Sequence, residues 1–175
     1  KIGVLSRYII LLILLLFSYL FYLSIPTLYN YGEIQKDLNK KLLNEFNLNT
    51  SLSANITYKI LPSPNFEITN VLLTTGSKNK FEDFAEIKKM NIFVYVKNLH
   101  NKDKIQIKKI SISEANININ KTSYEYINSY LKNRISEKKI QIQKSKIFFR
   151  ENNPTKDAIT LATIKKLNLF HDKEK

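Results

Sequence analysis

"ISISEANINI" at 110–119 and "IQIQKSKIFF" at 140–149 are one pattern written twice. Ile110, Ile112, Ala115, Ile117 and Ile119 hold the same places in the first as Ile140, Ile142, Ser145, Ile147 and Phe149 hold in the second. Each copy alternates with the period of a strand, skips one position, and resumes on the other parity. A plain slip would turn the apolar side chains to the opposite face. The skip therefore reads as an inserted residue, a β-bulge or a tight break, which bends the strand and keeps its apolar residues on one side. Shorter forms recur as Phe66-x-Ile68-x-x-Val71-x-Leu73 and Ile105-x-Ile107-x-x-Ile110-x-Ile112. So many recurrences predict a curved sheet.

Between the two copies, "SYEYINSYLKNRI" (123–135) predicts a short helix with Tyr124, Ile127, Leu131 and Ile135 on one side. After the second copy, "RENNPTKD" (150–157) predicts a turn. "AITLATIKKLNLF" (158–170) then returns as a strand pair or a bulged strand through Ile159, Leu161, Ile164, Leu167 and Leu169. Upstream, "MNIFVYV" (90–96) is apolar on both faces and predicts a strand covered on both sides. In "YKILPSPNFEITNVLL" (58–73), two alternating runs flank Pro62 and Pro64. Proline has no N–H for a ladder, so the pair predicts a rigid strand break that shapes and blunts the sheet edge and binds no ligand.

Towards the amino end the period lengthens. Tyr31, Ile34, Leu38, Leu42 and Phe46 fall three or four apart, the spacing of an amphipathic helix lying on the sheet. Ahead of it, "YIILLILLLFSYLFYLSI" carries no charge over 18 residues, Tyr8 to Ile25. As a helix it covers about 27 Å, close to the hydrocarbon thickness. Bulky residues stand where a signal peptide would carry a small-residue cleavage site, so an uncleaved anchor is expected. Tyr19, Tyr22, Tyr29 and Tyr31 gather at its far end like an interfacial belt, and the domain beyond is expected outside the cytoplasm.

The resulting plan is a membrane-anchored α+β chain, mainly β. Residues 1–26 form a cytoplasmic stub and transmembrane anchor, 27–49 the amphipathic helix, and 50–175 a curved antiparallel sheet interrupted by one short helix. The start at Lys1 and the charged "HDKEK" at the end read as a piece of a longer protein.

Composition narrows the function classes. Lys and Arg number 28 against 15 Asp and Glu, a net charge of +13. Such a surface attracts nucleic acid or anionic headgroups, or only reflects the Lys, Asn and Ile bias of an AT-rich genome. No RNA-recognition or helix-turn-helix pattern accompanies the charge, so nucleic acid is not an expected partner. There is no cysteine, and His100 and His171 lack ligand-spaced neighbours, so no metal site is expected. No nucleophile elbow, phosphate loop or dinucleotide fingerprint is present, and neither an enzyme nor a cofactor is expected.

The chain resembles the amino-terminal region of the AsmA family of bacterial envelope proteins. Three features carry the resemblance: the anchor followed at once by a helix, "YKILPSPNFEITNVLL" with Asn70 before Val71-Leu72-Leu73, and "KIQIQKSKIFFRENNPTKDAITLATIKKLNLF". What it implies is a single-pass protein of the bacterial inner membrane with its domain in the periplasm, acting in outer-membrane biogenesis. It also implies phospholipid transport between membranes through an apolar β-sheet groove, with phospholipid or another acyl lipid, the membrane and envelope proteins as partners. On that reading the groove candidates are Ile110, Ile112, Ile117, Ile119, Ile140, Ile142, Ile147, Phe149, Ile159 and Leu161. The alternative is a non-enzymatic structural or interaction module in which the same face is a closed core. Periodicity alone does not separate a core from a groove.

Overall fold

The computed structural model describes residues 3–46, 48–51, 55–77, 80–120, 123–125, 127–128, 132, 138–149 and 158–169. Helix α1 (Val4–Ser24) passes through a short 3-10 turn (Ile25–Leu28) into α2 (Tyr31–Phe46). Among the described residues seven strands follow: β1 (Asn49–Thr50), β2 (Asn55–Lys59), β3 (Asn65–Ser77), β4 (Lys80–Val94), β5 (Ile107–Ile119), β6 (Ile140–Phe149) and β7 (Ile159–Leu169). They form one open sheet in the order β1-β3-β4-β5-β6-β7. β1 and β2 share one edge, pairing with different stretches of β3; β7 is the other edge.

The chain turns into α2 at Asn30, whose side-chain oxygen accepts from Gly32 N at 3.0 Å and satisfies one orphan donor of the first turn. Ile34, Leu38, Leu42 and Phe46 are all buried, as their spacing predicts. They pack on the inner face of the sheet in one cluster that includes Phe66, Met90, Ile92 and Ile110. The connection between β4 and β5 clamps the helix from its side: Lys102 pairs with Glu33, and Lys41 donates to the carbonyls of Asp103 and Ile105. Cover on this strand region is one-sided. Met90, Ile92 and Val94 are buried, whereas Tyr95 is exposed and Phe93 only half-buried, under the Lys109 ammonium at 4.4 Å. The expectation that 90–96 is covered on both faces is corrected: on the outer face Phe93 is shielded by the long Lys109 side chain, and Tyr95 is left exposed.

The sheet is not antiparallel throughout, which corrects the expected antiparallel plan. β5 and β6 pair in parallel, joined by a crossover through residues 120–139. The crossover brings the chain back to the end of the sheet from which β5 began, so β6 runs in the same direction as β5. Residues 123–125 and 127–128 of it are helical. Ile127 packs against the core, while Tyr124 is exposed and not on the packed side; Leu131, Ile135 and the expected turn at 150–157 lie outside the described residues. The repeated pattern is now accounted for. Ile110 pairs with Ile140, Ile112 with Ile142, Ile117 with Ile147 and Ile119 with Phe149.

The skip in parity is not an ordinary bulge either. Thr69↔Lys89 and Val71↔Ile87 bracket it between β3 and β4, and Lys89↔Ser113 and Ile87↔Ala115 bracket it between β4 and β5, with no change of register. The same holds across β6 and β7. Every strand from β3 to β7 changes parity in one shared row, so no strand slips against its neighbour. Asn70, Glu114 and Lys144 in that row take φ of 57°, 56° and 49°, the left-handed region that an L residue rarely enters. One-residue register shifts do occur elsewhere, at Leu73/Thr74, Phe93/Val94 and Ile147/Phe148.

Pro62 and Pro64 lie in the connection between β2 and β3, as a break that keeps both strands paired to each other. Pro64 is buried and its carbonyl accepts from Val94 N at 3.1 Å, so the turn is fastened to β4 as well.

Candidate apolar groove

The inner face of the sheet divides in two. Beneath α2 it is a closed core: Phe66, Met90, Ile92, Ile107 and Ile110 have no exposed surface. Past Leu48, where α2 has ended, the apolar rows of β5, β6 and β7 continue, and among the described helical residues of the crossover Ile127 reaches the same space. A cavity of about 270 Å³ opens there, and its described wall residues are all apolar. Ile112, Ile117, Ile119, Ile140, Ile142 and Ile147 line it. Ile117, Ile119, Ile142 and Ile147 are half-buried, and Leu167 is 39% exposed, so the cavity meets solvent along the β7 side.

Four of the groove candidates sit elsewhere. Ile110 is in the closed core. Phe149 and Ile159 pair with each other at the far end of the sheet, exposed and outside the cavity wall. Leu161 falls at the register shift, where Ile147 pairs with Ala162 and Phe148 with Thr160, and is exposed. Other wall residues were not among the candidates: Leu73, Ala85 and Ile87 from β3 and β4, and Ile164, Leu167 and Leu169 from β7. The last three continue the alternation after the shared skip (Ile164-x-x-Leu167-x-Leu169), a signal present in the sequence. Ile87 was harder to read, because its neighbours Lys88 and Lys89 are both charged.

The shared row holds the wall together where the ladder opens. Between Ser113↔Gln143 and Asn116↔Lys146 the parallel pairing lapses. The Ser145 hydroxyl, fully buried, bridges the gap: it accepts from Ala115 N at 3.0 Å and donates to the Gln143 carbonyl at 2.9 Å. This is why a serine stands where the first copy has alanine. Gln143 Nε2 adds a bond to Ser113 Oγ at 2.9 Å on the outer face.

That outer face carries a wider depression of about 750 Å³ along the same row, lined in part by Lys88, Glu114, Lys144 and Lys146. Lys88 pairs with Glu114 at 2.9 Å, which holds the Glu114 carboxyl below its usual range. A solvated surface of mixed charge offers nothing to an acyl chain. The apolar cavity is the site with chemical character.

At one end of the sheet, the anchor is fastened to the domain. Tyr22 Oη donates to the Val96 carbonyl at 2.9 Å and accepts from Leu99 N at 3.2 Å. Tyr29 Oη donates to the Leu99 carbonyl at 2.5 Å. From the sheet side, Tyr58 Oη donates to the Leu23 carbonyl in the last turn of α1, at 2.9 Å. Burial, with the nearby phenols, pushes the Tyr58 hydroxyl up to about 12, so it remains a donor over the whole physiological range. Tyr22 and Tyr29, expected as an interfacial belt, therefore also serve as the joint between anchor and sheet.

Leu5–Leu28 is long and apolar enough to cross a membrane. Together with an open, mainly β sheet whose apolar face is partly uncovered, it defines the class: an amino-terminal helix of membrane-spanning length carrying a β-groove domain. The AsmA family model matches residues 1–162, and the chain belongs to the AsmA family. Membership fits a membrane-anchored envelope protein with a role in envelope or outer-membrane assembly. No curated protein matches the chain.

Proposed function

We propose that the protein is a non-enzymatic lipid carrier of the bacterial envelope, anchored in the inner membrane with its sheet in the periplasm. Phospholipid acyl chains lie along the apolar groove on their way between membranes. The observation that carries this reading is the cavity past the end of α2, open to solvent and apolar in every described wall residue. An acyl chain entering it leaves water at roughly 0.8 kcal/mol per methylene, and an uncovered apolar face of this kind is a binding surface in soluble domains. No polar group among the described wall residues fixes a headgroup, which suits a conduit for lipids of several headgroups.

The test is site-specific photo-crosslinking in membranes. A benzophenone residue at Ile117 or Ile147 is expected to form phospholipid adducts, and one at the outer-face Asn116 is not. A probe at Phe17 in α1 reports that bilayer lipid is within reach of the chemistry. Phe17 adducts without any at Ile117 or Ile147 would leave the groove as an ordinary core margin, and the carrier reading would fail.

A further inference from the structure

We infer that the sheet end nearest α1 is itself a membrane-contact surface, in which Leu61 and Tyr95 enter the bilayer interface and Lys97 and Lys104 meet anionic headgroups. This rests on α1 spanning the membrane, and goes beyond the carriage of lipid in the groove. The topology fixes the direction. β2 runs from Asn55 to Lys59 towards the 60–64 turn, and Tyr58, just before that turn, bonds to Leu23 in the last turn of α1. β4 ends at Val94 beside Asn65, so the connection from Tyr95 to Gln106 emerges at the same end. Val96 and Leu99 within that connection are the partners of Tyr22 and Tyr29.

The helix that enters the bilayer and both loops thus leave the sheet at one level. At that level three large apolar side chains are exposed. Leu28 is 79% exposed, Leu61 80% and Tyr95 46%. None of the three has a packing reason to be apolar in water; Leu61 occupies the tip of a turn, where polar residues are usual. Lys97, His100 and Lys104 are exposed on the same connection. Aromatic and aliphatic tips flanked by lysines suit the headgroup layer, where rings sit at the interface and ammonium groups meet phosphate. The hydrogen-bonded tyrosine joint leaves little freedom for the domain to swing, so these tips are held against the surface. Ile140 and Leu169 stand at the end of β6 and β7 that faces the same way, opposite Ile110 of β5.

The test uses the full chain in bilayers of phosphatidylcholine alone and of equal parts phosphatidylcholine and phosphatidylglycerol. An environment-sensitive fluorophore is placed by Leu61→Cys, by Asn116→Cys far from the anchor, and by Phe17→Cys within it. All three positions are exposed, so the fold tolerates the label. The Leu61 probe is expected to lose quenching by aqueous iodide and to gain quenching by nitroxide-bearing lipid, while the Asn116 probe does the reverse. Lipid quenching at Leu61 is expected to be stronger with phosphatidylglycerol, and Lys97→Glu with Lys104→Glu to erase that difference. A Leu61 probe open to iodide, or shielded from iodide without lipid quenching (a protein contact instead), overturns the contact surface. If the Phe17 probe is not quenched by lipid, the anchor and the contact surface fall together; if only Leu61 fails, the anchor stands.

Discussion

Ser145 shows how much one hydroxyl does in this sheet. The shared row leaves Ala115 N–H facing a gap in the ladder, at a place with no access to water, and the serine closes it. Ser145→Ala is expected to orphan that donor and to destabilise the sheet by roughly 1–3 kcal/mol, the penalty for a buried unsatisfied group. Urea denaturation of the detergent-solubilised chain measures it, with Ala115→Ser as the control that adds a hydroxyl without removing one. A midpoint unchanged by Ser145→Ala means that the gap is satisfied in some other way. The same row places Glu114 and Lys144, neither of them glycine, in left-handed backbone. Their identity gave no hint of that conformation, because a left-handed residue in a strand is commonly Gly or Asn; only Asn70 carried such a hint.

At the scale of elements, β2, β3 and β4 are tied on the outer face by one carboxylate. Glu67 of β3 accepts from Lys59 of β2 at 2.7 Å and Lys89 of β4 at 2.6 Å. Burial opposes ionisation of Glu67, but the two ammonium groups outweigh it and hold the carboxyl below its ordinary 4.5. A carboxyl depressed in the folded state stabilises at pH above its unfolded value, and that stability is lost as pH falls through the folded one. Unfolding midpoints of the native chain and Glu67→Gln are thus expected to differ at neutral pH by about 1 kcal/mol. The gap should close as pH drops below the ordinary carboxylate range. A difference independent of pH would mean that Glu67 acts through packing instead of charge. High salt should narrow the neutral gap, since both lysines are partly exposed.

At the scale of the whole molecule, a hydrogen-bonded joint fixes α1 against the sheet. Tyr22 and Tyr58 supply hydroxyl bonds across it, each worth about 1 kcal/mol. Tyr22→Phe combined with Tyr58→Phe removes them while the rings keep their packing. The sheet is expected to stay folded, with an unchanged circular dichroism spectrum. The spin-label distance distribution between α1 and Asn116 is expected to broaden several-fold. A distribution as narrow as the native one would assign the joint to the remaining Tyr29–Leu99 bond and to packing of Leu23 and Pro26, both of which are buried.

Residue order by itself determined the elements, because each is written in a local period. The uncharged run before Pro26, the three-four spacing from Tyr31 to Phe46 and the alternation from β2 to β7 needed no partner to be read. The skip was legible as a separate event in β3, β5 and β6, but not in β4, where the charged pair Lys88 and Lys89 hides it. That all five long strands skip in one row, preserving register, emerged only when they were laid side by side. The direction of β6 was likewise a matter of assembly. A repeated apolar pattern is compatible with either pairing, and the crossover through 120–139 selected the parallel one. Most of all, tertiary structure decided which part of the apolar face is core and which is groove. Alternation tells a side chain's face but not what lies above it, and α2 is long enough to cover Ile110 but not Ile117 or Ile147.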